Sequence, residues 1–165
     1  MKPIGWLEAH ARGFKELSEE EKLAIQHFAL LWSLFEGEIL NTKASPSAIT
    51  SVIKNGVANG NMDVTPCGPC LEYFRERYFN NGIETPKFAQ LNFKKDHNRE
   101  LVEQVLRCIK DDPADVISAI FLVVYRLRNN LFHGSKWAYE LHDQLENFNH
   151  ANDILMKAFD QLKHR

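Results

Sequence analysis

The chain has 165 residues, 44% of them apolar and 25% charged, the size and balance of one soluble globular domain with material for a real core. Its 20 Lys and Arg are set against 22 Asp and Glu, a net charge of -2. That balance excludes a protein whose whole surface coats nucleic acid, so any nucleic-acid site has to be local. The first residues, "MKPIGWLEAH", hold no signal-peptide core, and the longest apolar run, "VISAIFLVVY", is about half of the ~20 residues that span a bilayer. The reading is a cytoplasmic protein with no membrane partner. Three cysteines, an odd number, fit reduced thiols better than a disulfide framework.

The elements read as helices almost throughout. Ser18 with Glu21 three residues on is a capping box, and Leu23, Phe28, Leu31, Trp32, Phe35 and Ile39 follow at helical spacing, a long first core helix. "SPSAITSVIKNG" opens on a Ser-Pro pair suited to a helix start and predicts a short second helix ending at Gly56. After a loop, "CLEYFRERYFNNG" predicts a third helix stopped by Gly82, and "IETPKFAQLNF" an irregular stretch. Asp96 caps a fourth over "DHNRELVEQVLRCIKDD". A fifth runs from Asp112-Pro113 to Gly134, and a sixth covers about Trp137 to Leu162, with Leu141, Leu145, Phe148, Leu155, Phe159 and Leu162 towards the core. No stretch alternates as a strand does. The expectation is a single all-α domain over residues 1–165, an up-and-down bundle of about five or six helices.

The fifth helix separates into faces. Val116, Ile120, Val123, Leu127 and Leu131 make an apolar stripe, while Arg126, Asn129, Asn130 and His133, at i, i+3, i+4 and i+7, make a polar one. Arg128 lies on neither stripe and emerges among Phe121, Val124, Tyr125 and Phe132, where a guanidinium needs a carboxylate or phosphate partner. His133 sits in the last turn, where the helix dipole favours the imidazolium form and a histidine can titrate near neutrality. Taken singly, these residues also fit ordinary duties: arginines answering the dipole, asparagines capping, a histidine on the surface. With eight Arg and seven His, about 0.3 Arg-x4-His matches arise by chance, and about 0.03 once Asn must follow the Arg.

Three further features stand out. Glu36, on a helix dominated by Leu, Trp and Phe, has two open readings, the carboxylate that Arg128 needs or a solvent-facing neighbour of Glu38. Arg75 and Arg77, interleaved with Tyr73, Phe74 and Tyr78, suit phosphate and base-stacking contacts to single-stranded RNA, or else the wet face of a short helix. Cys67-Gly68-Pro69-Cys70 matches a thiol-redox Cys-x-x-Cys, but no preceding strand is legible, and no second ligand pair accompanies it for zinc.

Arg128-Asn129-Asn130-Leu131-Phe132-His133-Gly134, on the penultimate long helix of an all-helical chain, resembles the Arg-Asn-x3-His signature of the HEPN superfamily. The close resemblance covers residues 126–136; beyond them only helix number and order agree. Ser135 stands where the family's nucleotidyltransferase-paired toxins often carry a tyrosine. The resemblance implies a HEPN-like bundle, a homodimer, and metal-independent endoribonuclease activity of a toxin or phage-defence effector, with no cofactor. Arg128, Asn129 and His133 are then the catalytic set, Glu36 and Asn130 support it, and Arg126, Lys136, Arg75 and Arg77 contact RNA. Arg128 and His133 point some 140° apart around one helix, so two copies across a twofold axis would bring both residue types to one cleft. RNA, transfer RNA among the candidates, and an antitoxin or regulatory protein are the implied partners. The alternatives are a catalytically silent HEPN-like module that binds RNA, nucleotide or a protein, and a thiol-redox protein using Cys67 and Cys70.

Overall fold

The computed structural model describes residues 2–134 and 141–163. Within them lie eight α-helices: α1 (Pro3–His10), α2 (Glu19–Glu38), α3 (Pro46–Ala58), α4 (Gly68–Tyr78), α5 (Pro86–Ala89), α6 (His97–Leu106), α7 (Pro113–Phe132) and α8 (Leu145–Lys163). A 3-10 turn at Thr65–Cys67 leads into α4, and an antiparallel hairpin pairs β1 (Phe79–Asn80) with β2 (Ile83–Glu84). The fold is all-α in character. No helix among the described residues is long and apolar enough to cross a membrane.

The long helices begin where the sequence supplies caps. Ser18 and Glu21 satisfy one another's backbone N–H groups at the start of α2 (3.1 and 2.7 Å). Asp96 accepts from the N–H groups of Asn98 and Arg99, and Asp112 from those of Ala114 and Asp115. These side chains answer the donors that a helix leaves unpaired in its first turn. At the other end of α7, Gly134 takes a left-handed conformation (φ 76) and stops the helix.

Helix α7 is the centre of the molecule. Every residue from Val116 to Val124 is buried, the signature of a helix enclosed on all sides. Helices α3, α6 and α4 pack on it. Helix α2 meets it through Trp32 against Tyr125 (5.9 Å between rings) and Phe35 against Phe121 (5.2 Å). Helix α8 packs along α2, with Phe28 and Phe148 in ring contact and Asn152 donating to Ala24 O.

Six of the eight helices match expectation, and the departures have local causes. Gly56 lies inside α3, buried beneath Leu162 and Met62, and the chain turns at Gly60 (φ 69) instead. A Cβ at Gly56 would come within 3.0 Å of Leu162 Cδ2, so packing explains this glycine. Gly82 does not stop α4 either. Asn81 and Gly82 both have positive φ (50 and 76), the geometry of a two-residue hairpin turn, and they join β1 to β2. Helix α6 ends at Leu106, with Cys108 left-handed (φ 59) beyond it. The last helix starts at Leu145 rather than near Trp137; residues 137–140 lie outside the described residues. Leu141 and Asp143 are left-handed (φ 56 and 55); Asp143 pairs with Arg77 and Lys87 (3.3 and 2.7 Å), and Leu141 packs with Phe14 and Leu17. Leu23 on α2, expected in the core, is 50% exposed.

Candidate functional site

Arg128 projects from α7 towards α2 and meets two side chains one helical turn apart. Trp32 Nε1 donates to Glu36 Oε2 at 2.6 Å, and Arg128 Nη2 donates to the same oxygen at 3.4 Å. Arg128 Nη1 donates to Asn129 Oδ1 at 3.1 Å. The guanidinium carbon stands 5.3 Å from the Phe132 ring and 5.9 Å from that of Trp32, within cation–π range of both. Arg128 Nε is buried and has no hydrogen-bond partner among the described residues. The guanidinium is thus positioned by one carboxylate, one amide and two rings, yet its buried Nε has no partner and its ion pair is long.

This group opens on a cavity of about 640 Å³, lined by Leu30, Ser33, Glu36, Thr42, Arg128 and Phe132 among others. Arg128 and Glu36 are each about a quarter exposed, and Leu30 and Phe132 form an apolar rim, 70% and 54% exposed. A planar cation at the wall of an open, partly apolar cavity can take a phosphate or carboxylate in bidentate fashion.

Asn129 and Glu36 therefore join Arg128, and of the two readings of Glu36 the structure has the carboxylate beside the arginine. His133 is the C-cap residue of α7, exposed, and does not line the cavity. Asn130 is buried and anchors a loop: its Nδ2 donates to Gln90 O (2.9 Å), and Asn92 Nδ2 donates to its Oδ1 (3.2 Å). Arg126 Nε donates to Leu91 O (2.8 Å) in the same loop. Arg75 pairs with Glu72 and donates to Val105 O, and Arg77 pairs with Asp143 and lies 6.0 Å from the rings of Tyr73 and Tyr78. Both arginines tie α4 to neighbouring segments. Lys136 lies outside the described residues.

Sequence reasoning missed Trp32, which it treated purely as core. The signal was available: Trp32 and Glu36 are i and i+4 on one helix, where an indole N–H reaches a carboxylate.

Cys67 and Cys70 are buried and unpaired. Burial pushes the Cys67 thiol up to about 11 and the Cys70 thiol higher still. A redox nucleophile needs the opposite shift and an exposed sulfur, so the geometry lends the thiol-redox reading no support. Among the described residues no three His, Cys, Asp or Glu side chains are grouped to hold a metal ion.

Compared with protein-family models, with curated proteins and with solved structures, the chain matches none.

Proposed function

We propose that the chain is a HEPN-like, metal-independent endoribonuclease, a toxin or defence effector acting as a homodimer in the cytoplasm. One observation carries the reading. The Arg-Asn-x3-His motif ends the central helix, with Arg128 held part-exposed at a cavity by Glu36 and Asn129. His133 stands exposed at the tip of the same helix.

In this reading Arg128 holds the scissile phosphate and stabilises its developing charge. His133 of a second copy, across a twofold axis, takes the proton of the 2′-hydroxyl as that oxygen attacks phosphorus. The P–O5′ bond breaks and the 5′-oxygen takes a proton from solvent, giving a 2′,3′-cyclic phosphate and a 5′-hydroxyl end. Glu36, fixed by Trp32, is a positioning residue for Arg128. Arg126 and Lys136 add phosphate contacts, which fix register without reading sequence.

A second reading, a silent module that binds RNA, nucleotide or a partner protein, draws on a specific observation: His133 does not line the cavity that holds Arg128. The test is cleavage of total and transfer RNA in EDTA by wild type and His133→Ala, with product ends mapped and oligomeric state measured by light scattering. The ribonuclease reading expects cyclic phosphate ends, loss of cleavage in the variant, and a dimer. Intact RNA with both proteins favours the silent module, and a monomer that cleaves overturns the two-copy mechanism.

A further inference from the structure

A partly buried guanidinium without a carboxylate beside it carries a charge that burial makes costly. Arg75, Arg77, Arg99 and Arg128 each have such a partner: Glu72, Asp143, Glu84 with Glu103, and Glu36. Arg126 has no carboxylate at ion-pair distance among the described residues, although Asp96, in the lining of the same pocket, acts on its charge from farther off. Its Nε is used by Leu91 O and its guanidinium lies 5.9 Å from the Phe93 ring, but its two Nη atoms have no hydrogen-bond partner there. Burial accordingly pushes its pKa down.

Arg126 faces a pocket of about 240 Å³ whose lining includes Lys94, Asn98, Asn129, Tyr125 and Phe93. Asp96 is the one carboxylate in that lining, and its Oδ1 is committed to the N–H groups of Asn98 and Arg99, which hold the acid below its usual range. Two cations against one capped carboxylate leave the pocket positive. The amides of Asn98 and Asn129 and the rings of Tyr125 and Phe93 suit the sugar and base that accompany a phosphate.

We infer that this pocket binds a nucleotide phosphate, through the free Nη donors of Arg126 and the ammonium of Lys94. The pocket is separate from the Arg128 cavity, with which it shares no lining residue, and lies about a quarter turn away around α7. Asn129 belongs to both neighbourhoods: its Oδ1 accepts from Arg128, and its Nδ2 is left to donate into the pocket. The phosphate could come from an RNA chain that continues past Arg128 or from a free nucleotide. The donors are the same in either case; the backbone source rests on the ribonuclease reading, in which Arg126 contacts RNA phosphate, and the free-nucleotide source does not.

Isothermal titration calorimetry distinguishes these sources. The probes are adenosine monophosphate and a short 2′-O-methyl oligoribonucleotide, which cannot react through its 2′-oxygen. At least one of them should bind wild type, with affinity about tenfold or more weaker in Arg126→Gln and about threefold weaker in Lys94→Ala. Lys94 is exposed, so its variant remains informative if Arg126→Gln, which gives up the bond to Leu91 O, folds poorly. Binding of the monophosphate, retained in Arg128→Ala, assigns the pocket to a free nucleotide. Binding of the oligonucleotide alone, still dependent on Lys94 and Arg126, assigns it to a backbone phosphate. If neither probe binds, or affinity ignores Lys94 and Arg126, the proposal is overturned, whatever the cleavage assay returns.

Discussion

The end of α7 and the turn into α4 each carry a short motif of reactive residue types, and the protein treats them in opposite ways. At Arg128 the charged group is a quarter exposed, braced by Glu36, Asn129, Trp32 and Phe132, and faces an open cavity. At Cys67 and Cys70 the groups are buried, with thiols held protonated. A motif gives residue types in order; exposure and neighbouring charge decide whether those types can react.

The contrast breaks most visibly in cleavage rates. On the proposed ribonuclease reading, His133→Ala should lower the rate about 10²- to 10⁴-fold and Arg128→Ala about 10²- to 10³-fold, the usual scales for a general acid-base group and a charge-stabilising donor. His133→Ala should leave the melting temperature unchanged, because His133 is exposed. Replacing both Cys67 and Cys70 by alanine should leave the rate of the folded protein within about twofold. A cysteine variant as inactive as the histidine one would reverse the comparison.

Alkylation sharpens the other side. Moving the Cys67 thiol from 9.0 to about 11 lowers its thiolate fraction roughly a hundredfold, so iodoacetamide followed by mass spectrometry should modify exposed Cys108 well before Cys67 or Cys70. The same shift has a defined sign in stability. The unfolded chain releases this proton near pH 9 while the folded chain keeps it to about 11, so the unfolded state binds fewer protons and stability falls as pH rises through that window. Urea denaturation of wild type and Cys67→Ala between pH 8 and 11 should show the fall lessened in the variant.

Smaller effects test the bracing of Arg128. Glu36→Gln keeps an acceptor for Trp32 but removes the charge, and should lower kcat about tenfold; Trp32→Phe keeps the ring but removes the N–H, and should lower it about threefold. If neither variant changes kcat, the network is structural only. Asn130→Ala should act on stability instead. Losing its bonds to Gln90 and Asn92 should cost about 1–3 kcal/mol in urea denaturation and unsettle the loop that also holds Arg126.

Much of the fold was legible because caps and periodicity act over a few residues. Ser18, Asp96, Asp112 and Gly134 mark helix ends where the sequence rules put them. Helix α1 was not legible: none of its residues is buried, and Leu7 packing and the Glu8 to Lys22 ion pair (2.9 Å) hold it in place. The four-residue α5 and the two-residue strands are too short to carry a period. Asn81-Gly82 is a hairpin signal, masked in the sequence by a helical pattern that runs on through Phe79.

By itself the sequence determined the six main helices, the buried middle of α7 and the Arg-Asn-x3-His run at its end, because each depends on near neighbours in the chain. Only the tertiary structure decided how the polar residues of that end are used. Glu36 arrives from 92 positions away to meet Arg128, and the Gln90 to Asn92 loop arrives to engage Asn130 and Arg126, while Arg126 keeps both Nη atoms free over a pocket. Such partnerships depend on where helices cross, and crossings follow from how side chains pack, a long-range property that no local pattern encodes.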